Sequence, residues 1–431
     1  MTSGWMRRTA RTVAAAAAVG VLLAPTAVGW PAAATPLPPT PVTDHCPYRV
    51  GTPPAVDTSE VVAPGARTPT ALPVPSPAVG GDRLAACGVV ADPAAGPLPA
   101  GLTSAGWLIA DLDNGRVVAA KDPHGRYRPA STIKLLLALV ALRDLDLGSV
   151  VEPTVEDWST EGDSCGMGPR GHYTVRDLIT GLLMVSGNDC ANALSRELGG
   201  HDVTLTKMNA LANDLGAHDT RAATPSGLDA PGMSSSPYDL ALIFRNAMGN
   251  STFREMIALS TFRFPGYPAR PDIPGDKPHP AYDMYTSNRL LLDGYPGALG
   301  GKTGYTDDAR KTFVGAAQRN GRTVLIVQMY GLSVEGDMYW DQAKSMLEYG
   351  FGAPATTSVG ALINPAAATS RPDTSPPTTP TTTAAPNAGH NTRTAGSGAD
   401  HSTSMRVLVG LIAALAAVGL LIAGLRLFGR R

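Results

Sequence analysis

Charged and aromatic side chains are scarce in this chain of 431 residues, at 16% and 6% of the total. Lys and Arg together number 35 and Asp and Glu number 36, which gives a formal net charge of −1. A charge so evenly balanced provides no bulk electrostatic attraction for nucleic acid. With 38 prolines and little charge, the composition predicts a folded core accompanied by irregular segments.

Long apolar stretches stand near the two ends of the chain. Arginines precede the first stretch, residues 12–23, and three alanines after it offer a cleavage site, which predicts a secretory signal peptide over residues 1–34. The second predicts a transmembrane helix over residues 406–425, because about 19 apolar residues span roughly 28 Å, close to the thickness of the hydrocarbon core. The basic tail, residues 426–431, then lies in the cytoplasm. We therefore expect the body of the protein outside the cell, anchored to the membrane by this C-terminal helix.

Cysteine is also scarce, with four in the chain. No CxxC or HxxxH spacing is present, so metal binding is the weaker interpretation, and we predict no metal. An even number of cysteines in an exported chain favours disulfides, and three connectivities are open. The disulfide candidates are Cys46, Cys87, Cys165 and Cys190.

Composition divides the rest of the chain into three segments. A Pro/Ala-rich N-terminal arm is predicted over residues 35–100, a compact domain over 101–351 and a disordered Pro/Thr-rich stalk over 352–405. Within the compact domain, residues 107–112 alternate moderately, and a hairpin turn predicted at Asp113-Asn114-Gly115 leads into residues 117–120. Apolar helical patterns follow, and two more strands are predicted near residue 300 and over residues 323–330. We therefore predict an α/β layered domain whose sheet joins early and late parts of the chain.

The segment Ser131-Thr132-Ile133-Lys134 precedes a strongly apolar helical pattern. Ser131 is thereby predicted at a helix N-terminus, where free N–H groups and the helix dipole favour developing negative charge. Lys134 lies one turn further on the same face, and a partly desolvated lysine can act as the base that a serine nucleophile needs. The alternative is a helix cap beside a solvated charge.

Two weaker motifs follow. Ser186-Gly187-Asn188 is predicted to form a polar turn between two helices, which can aim a hydroxyl and an amide into a cleft. Lys302-Thr303-Gly304 is predicted on a strand edge, where Lys302 and Thr303 can meet an anionic substrate terminus and Gly304 leaves room beside the strand. Taken alone, each motif is compatible with an ordinary turn or strand end.

In this order and at these spacings, SxxK, SxN and KTG are the signature of penicillin-interacting serine enzymes. The chain resembles the low-molecular-mass penicillin-binding proteins of the serine-type D-alanyl-D-alanine carboxypeptidase family. The resemblance also extends over residues 128–134, 185–189, 226–232, 287–291 and 301–306. It implies a β-lactamase/transpeptidase-like serine acyl-transferase domain, with an antiparallel sheet flanked by helices and a helical subdomain.

The resemblance implies a role for each motif residue. Ser131 attacks the carbonyl between the two terminal D-alanines, and Lys134 accepts its proton. Ser186 relays a proton to the leaving amine and Asn188 orders the site. The implied catalytic residues are Ser131, Lys134, Ser186, Asn188 and Lys302, and the implied substrate-binding residues are Thr303, Gly304, Tyr305 and Thr306. The backbone N–H groups of Ser131 and Tyr305 would form the oxyanion hole.

The function implied is hydrolysis of the terminal D-Ala-D-Ala bond of peptidoglycan stem pentapeptides through a Ser131 acyl-enzyme, which limits cross-linking. β-Lactams would acylate the same serine, and no cofactor or nucleic acid is expected. A D,D-endopeptidase or transpeptidase at the same site remains an alternative, as does a non-catalytic protein that binds the cell wall. A class A β-lactamase is disfavoured because residues 221–229 contain no glutamate of the ExxLN pattern.

A competing serine motif lies at residues 162–166, where Gly-Asp-Ser-Cys-Gly matches the GxSxG nucleophile elbow. An elbow needs a strand before it and a helix after it, whereas Gly and Pro flank this stretch. We predict a surface loop bordering the cleft, as its position in the resemblance implies. A bridge between Cys165 and Cys190 would pin this loop beside Ser186.

Overall fold

The computed structural model describes residues 40–332 and 338–363. The helices are α1 (Lys134–Asp144), α2 (Val155–Trp158), α3 (Val175–Met184), α4 (Asn188–Glu197), α5 (His201–Leu215), α6 (Pro237–Ala247), α7 (Ser251–Ile257), α8 (Arg289–Leu292) and α9 (Met338–Gly352). The strands are β1 (Val89–Ala91), β2 (Gly106–Asp111), β3 (Arg116–Lys121), β4 (Val150–Val151), β5 (Tyr173–Thr174), β6 (Thr261–Phe264), β7 (Tyr282–Tyr285), β8 (Ala298–Thr306), β9 (Arg310–Arg319), β10 (Arg322–Gly331) and β11 (Gly360–Ala361). Short 3-10 helices cover Asp82–Ala85, Pro93–Ala95 and Ala130–Ile133.

Within the described residues, the main sheet is antiparallel throughout and has seven strands. Its order is β1-β3-β2-β10-β9-β8, with β11 also paired to β3. The predicted hairpin joins β2 to β3 through Gly115, whose φ of 78° suits glycine. Strand β2 then pairs with β10, with Ile109 opposite Ile326. The sheet therefore joins early and late parts of the chain, as the sequence predicts.

Alternating side chains of the sheet supply two cores. Trp107 and Ile109 on β2 belong to the cluster that includes α9, whereas Leu108 and Ala110 belong to the larger cluster that includes α1 and α6. This period of two is what a strand covered on both faces by helices requires. The predicted fold class, an antiparallel sheet flanked by helices with a helical subdomain, is confirmed.

Helix α1 is the centre of the helical layer. Every residue from Leu135 to Ala141 is buried, so the helix is enclosed by its neighbours. Thr154 and Thr174 are the N-cap residues of α2 and α3, and each forms a capping box. Gly216, in the left-handed conformation, caps the C-terminal end of α5. The N-terminal end of α1 lies next to α4, through the bond of Lys134 to Asn188, and the turn before it lies next to Gly304 of β8.

Both the arm and the chain that follows the predicted compact domain make contacts with strand β3. Cys46 and Cys87 form a disulfide that closes a loop within the arm, and β1 of the arm pairs with β3. At the other end, β11 pairs with β3 and Leu362 is only 4% exposed, so packing extends beyond the predicted boundary at residue 351. These few apolar residues escape notice because they lie among Pro, Ala and Thr.

Several predicted segments lie outside the described residues. They are the signal peptide at 1–34, the transmembrane helix at 406–425 and the basic tail at 426–431, together with most of the stalk. Among residues 40–332 and 338–363, no helix is both long and apolar enough to cross a membrane.

Candidate active site

Ser131 lies in the 3-10 turn that leads into α1. The residue before it, Ala130, has a φ of 47°, which bends the chain sharply ahead of the serine. Lys134 begins α1 and is completely buried, and its Nζ lies 2.7 Å from Ser131 Oγ. The SxxK spacing thus brings a base and a hydroxyl within direct proton-transfer distance.

Lys134 is held by two further oxygen atoms. Its Nζ donates to Asn188 Oδ1 at 2.7 Å and to the backbone oxygen of Ser226 at 2.6 Å. Burial lowers the pKa of Lys134 well below its ordinary value, and the nearby Lys302 lowers it further. The lysine is therefore suited to be a neutral amine that can accept a proton.

Ser186 occupies the turn between α3 and α4. Its φ of 66° turns the side chain inward, and it is 2% exposed. Among the described residues its Oγ has no hydrogen-bond partner, so this buried hydroxyl is available to a substrate atom. Asn188, the first residue of α4, donates from Nδ2 to the backbone oxygen of Glu161 at 2.7 Å.

The KTG residues lie on β8. Lys302 is completely buried, and this burial lowers its pKa to about 7, although Asp163 opposes the shift. Its Nζ donates to the backbone oxygen of Thr303 at 2.7 Å. The hydroxyl of Thr303 lies 2.9 Å from that of Ser287. Thr303 and Ser287 thus line the cleft, whereas the Lys302 amine is bonded to the backbone of its own strand.

Gly304 allows β8 to approach the nucleophile. A Cβ at this position would lie 2.8 Å from the backbone nitrogen of Ser131 and 2.5 Å from Thr312 Oγ1. Thr312 on β9 in turn donates to the backbone oxygen of Pro129 at 2.8 Å. The absence of a side chain at 304 thus leaves the space beside the Ser131 N–H that an oxyanion needs.

Tyr305 and Thr306 are placed differently from each other. Tyr305 lines the cleft and its hydroxyl donates to Asp307 at 2.8 Å. Thr306 Oγ1 accepts from the backbone N–H of Ala309 at 2.9 Å, so its hydroxyl already serves the turn between β8 and β9.

The GxSxG stretch is a loop and has neither the strand nor the helix of a nucleophile elbow. Cys165 of this loop forms a disulfide with Cys190 on α4, as in the predicted bridge. The disulfide packs against Gly187, where a Cβ would overlap the sulfur of Cys165. Asp189 completes the attachment by accepting from Cys165 N at 2.7 Å and from Ser164 Oγ at 2.7 Å.

These elements enclose a cleft of about 240 Å³. It is lined by Asp163, Ser186, Ser287, Thr303, Gly304, Tyr305, Lys311, Thr312, Tyr339 and Trp340. Residues of the SxN and KTG motifs therefore line this cleft at the edge strand β8, and the backbone nitrogen of Ser131 lies beside Gly304 on the same strand.

Residues 94–332 match the peptidase family S11, described as D-alanyl-D-alanine carboxypeptidase. The chain belongs to the D-alanyl-D-alanine carboxypeptidase family. The resemblance predicted from the motifs is confirmed. Members of this carboxypeptidase family are extracytoplasmic cell-wall enzymes that act on D-Ala-D-Ala peptides and bind β-lactams.

Two carboxypeptidase relatives illustrate the likeness. The D-alanyl-D-alanine carboxypeptidase DacB2 of Mycobacterium tuberculosis is 47% identical over 269 residues, covering 62% of this chain and 88% of that protein. The D-alanyl-D-alanine carboxypeptidase of a Streptomyces species is 27% identical over 284 residues, covering 63% of this chain and 95% of that protein.

Solved structures agree with this family assignment. A D-alanyl-D-alanine carboxypeptidase from Mycobacterium tuberculosis has a TM-score of 0.56 at 48% identity, covering 62% of this chain and 97% of that one. A Streptomyces DD-transpeptidase has a TM-score of 0.54 at 26% identity, covering 59% and 99% respectively.

Sequence reasoning missed several residues of this carboxypeptidase-family site. The backbone oxygen of Ser226 is a partner of Lys134, and the carboxylate of Asp189 holds the loop over the cleft. Thr312 and Trp340 contribute from β9 and α9. Asp189 directly follows the SxN motif and Ser226 lies in the stretch 226–232 of the resemblance, so the sequence drew attention to both positions. No sequence motif pointed to Thr312 or Trp340.

Proposed function

We propose that this chain hydrolyses the terminal D-Ala-D-Ala bond of peptidoglycan stem pentapeptides through an acyl-enzyme on Ser131. The observation that carries the proposal is the 2.7 Å approach of the buried Lys134 amine to Ser131 Oγ. The family assignment supports the reaction, since its members are D-alanyl-D-alanine carboxypeptidases. Shortening the pentapeptide removes the donor for cross-linking.

Acylation would begin with transfer of the Ser131 hydroxyl proton to Lys134 Nζ as Oγ attacks the carbonyl carbon of the penultimate D-alanine. The oxyanion would accept hydrogen bonds from the backbone N–H groups of Ser131 and Tyr305. Lys302 and Thr303 would hold the terminal carboxylate. Ser186, whose buried hydroxyl has no partner among the described residues, would give its proton to the leaving nitrogen of D-alanine and take one from Lys134, which returns the lysine to its neutral form.

Deacylation would use the same groups. A water molecule would attack the ester carbon as Lys134 accepts one of its protons. Lys134 would then return this proton to Ser131 Oγ as the ester bond breaks, and the shortened peptide would leave as its carboxylate after losing its acidic proton to solvent. A β-lactam would acylate Ser131 by the first half of this sequence, and its ring-opened product would keep the leaving nitrogen tethered in the site.

Transpeptidation is a second candidate, favoured by the structural likeness to the Streptomyces DD-transpeptidase. In that reaction an amine of another peptide, instead of water, attacks the same acyl-enzyme. The first half-reaction is therefore identical, and only the acceptor differs.

The full chain in detergent, incubated with diacetyl-Lys-D-Ala-D-Ala, is expected to release one D-alanine per molecule of shortened peptide. The matched control is the same sample treated first with benzylpenicillin, which should release none. Glycine added as an acceptor separates the two candidates, because transpeptidation would yield a glycine-terminated peptide. D-alanine release that benzylpenicillin leaves intact would contradict the acyl-enzyme proposal.

We also propose an export signal at residues 1–34 and a membrane anchor at residues 406–425, with the catalytic domain outside the cell. The support is the apolar character of both stretches and the extracytoplasmic nature of the family. The full chain is expected to sediment with membranes after carbonate extraction, whereas a chain ending at residue 405 should be released. Equal sedimentation of the two chains would count against the anchor.

A further inference from the structure

The segment that leads to the nucleophile is bonded to the N-terminal arm along its length. We call residues 121–128 the lead-in segment. Its basic side chains Lys121, His124, Arg126 and Arg128 all contact the arm. Their backbone-oxygen partners in the arm are those of Pro41, Val79, Val50, Leu72, Pro73 and Pro53. The chain that leads to Ser131 is therefore attached to the arm at four successive basic residues.

The strongest of these contacts is between Arg128 and Glu60. Arg128 Nε and Nη2 each lie 2.6 Å from one carboxylate oxygen of Glu60, which is the bidentate geometry of a strong ion pair. The Arg128 side chain is 1% exposed and that of Glu60 21%. An arginine so deeply buried depends on this carboxylate, and it lies three residues before Ser131.

The same part of the arm contacts the turn after the KTG strand. Asp308 lies between β8 and β9 with its side chain fully buried. Its Oδ1 accepts from the backbone N–H of Val56 at 2.5 Å, and its Oδ2 from the hydroxyl of Ser59 at 3.2 Å. Arg128 Nε lies 3.9 Å from Asp308 Oδ2. Arm residues 53–60, which we call the tie loop, therefore connect the lead-in segment to the end of β8.

The two ends of this connection flank the two halves of the oxyanion hole. Ser131 lies three residues after Arg128, and Tyr305 lies three residues before Asp308. The tie loop therefore constrains the distance between the backbone N–H groups of Ser131 and Tyr305. We infer that Glu60 is a positioning residue, through which the tie loop sets the geometry of the oxyanion hole. This inference rests on the proposed function, because it assigns a role to the arm in that same reaction.

The carboxyl group of Asp229 interacts with Glu60, Arg128 and Asp308, and would therefore be affected by a change of charge at Glu60. Burial raises the pKa of Asp229 to about 6, with Asp308 and Glu60 adding to the shift and Thr306 and Arg128 opposing it. If Glu60 lost its charge, Arg128 would interact more strongly with Asp308 and Asp229. Asp229 lies three residues after Ser226, whose backbone oxygen accepts a hydrogen bond from Lys134. A shift of Asp229 would therefore disturb the base Lys134, and a shift of Asp308 would disturb the oxyanion hole.

Glu60→Gln keeps the size of the side chain and removes its charge. Acylation of the full chain by a fluorescent penicillin gives the dissociation constant of the non-covalent complex and the rate constant of the chemical step. We expect the rate constant to fall about 10- to 100-fold, with the dissociation constant changed by less than about twofold, because displacement of reacting groups by about 1 Å is this costly. The affinity of a boronic acid, whose tetrahedral adduct on Ser131 occupies the oxyanion hole, should fall in parallel.

Arg221→Ala is the matched control, because Arg221 Nη2 donates to the arm at the backbone oxygen of Thr70, 2.8 Å away, but contacts neither end of the tie. It should leave the rate constant unchanged. Ser59→Ala, which removes only the hydroxyl bond to Asp308, should give a smaller loss and provides the test if Glu60→Gln does not fold. A wild-type chain that is not acylated would refute the proposed function. Normal acylation of the wild type with an unchanged rate constant in Glu60→Gln or Ser59→Ala, or an equal loss in Arg221→Ala, would overturn the inference alone.

Discussion

Replacing Ser131 with alanine is expected to abolish covalent labelling by fluorescent penicillin and to lower D-alanine release by about 10⁴-fold or more. The alanine variant has no oxygen to form the ester, and Lys134 loses the hydroxyl that lies 2.7 Å away. The methyl group fits where the hydroxymethyl group was, so folding should be preserved. The two measurements are gel fluorescence after labelling and an enzymatic assay of free D-alanine.

Ser164→Ala is the matched control for this experiment. Ser164 is the serine of the GxSxG stretch, and its hydroxyl donates to Asp189 at 2.7 Å instead of facing a base. This variant should still be labelled by penicillin. If labelling were lost in Ser164→Ala and kept in Ser131→Ala, the assignment of the nucleophile would be wrong.

Replacing Lys134 with methionine is expected to lower the acylation rate constant by about 10³-fold, within the range of general-base contributions. Methionine fills most of the same space but cannot accept the proton of Ser131. Lys302 and Thr303 are unchanged, so the non-covalent affinity for penicillin should change little. Lys207→Met is the matched control, because Lys207 pairs with Asp144 at the far end of α1. An equal loss in the two variants would point to damage to α1 instead of loss of the base.

The same assignment predicts the pH dependence of kcat/KM, which reports groups of the free enzyme. Lys134 must be neutral to accept a proton, so activity should rise with pH through its lowered pKa. Lys302 must be charged to attract the carboxylate, and burial lowers its pKa to about 7, so activity should fall as pH rises beyond this value. In Lys134→Met the rising limb should disappear and the falling limb remain. A rising limb that persisted would assign it to another group.

Much of the fold was predictable because its signals are local. The alternation around Gly115 identified β2 and β3, and the apolar run after Lys134 identified α1. Strand β9 was missed, since Arg310–Arg319 carries small residues that do not stand out until β8 and β10 are seen on either side of it. Helix α9 was also missed, because its apolar residues pack on a face of the sheet that is formed by strands from distant parts of the sequence.

The residues of the candidate site also divide into those that the sequence predicts and those that only the structure reveals. Ser131, Lys134, Ser186 and Lys302 lie in short motifs whose order is itself informative, so the chemistry could be inferred without a structure. The stretch 226–232 was part of the resemblance, but the contact of the Ser226 backbone oxygen with Lys134 could not be inferred, because a carbonyl group leaves no trace in residue type. The role of Glu60 could not be inferred either, since it is one of several acids in a Pro- and Ala-rich arm, and its importance depends on its contact with Arg128.

The tie loop joins parts of the chain that are synthesised at very different times. Val56 and Asp308 are 252 residues apart in sequence. Strand β2 can likewise pair with β10 only after β10 has been synthesised. Closing loops of this length has a large entropic cost that is recovered only when the distant partners are present, so these contacts form late in folding. A nascent chain that has emerged only as far as its SxxK motif would carry the proposed nucleophile and base but only one of the two N–H groups proposed for the oxyanion hole. Activity should therefore begin in a single step, once the last strands are in place, and truncated products of synthesis should be inert toward the cell wall.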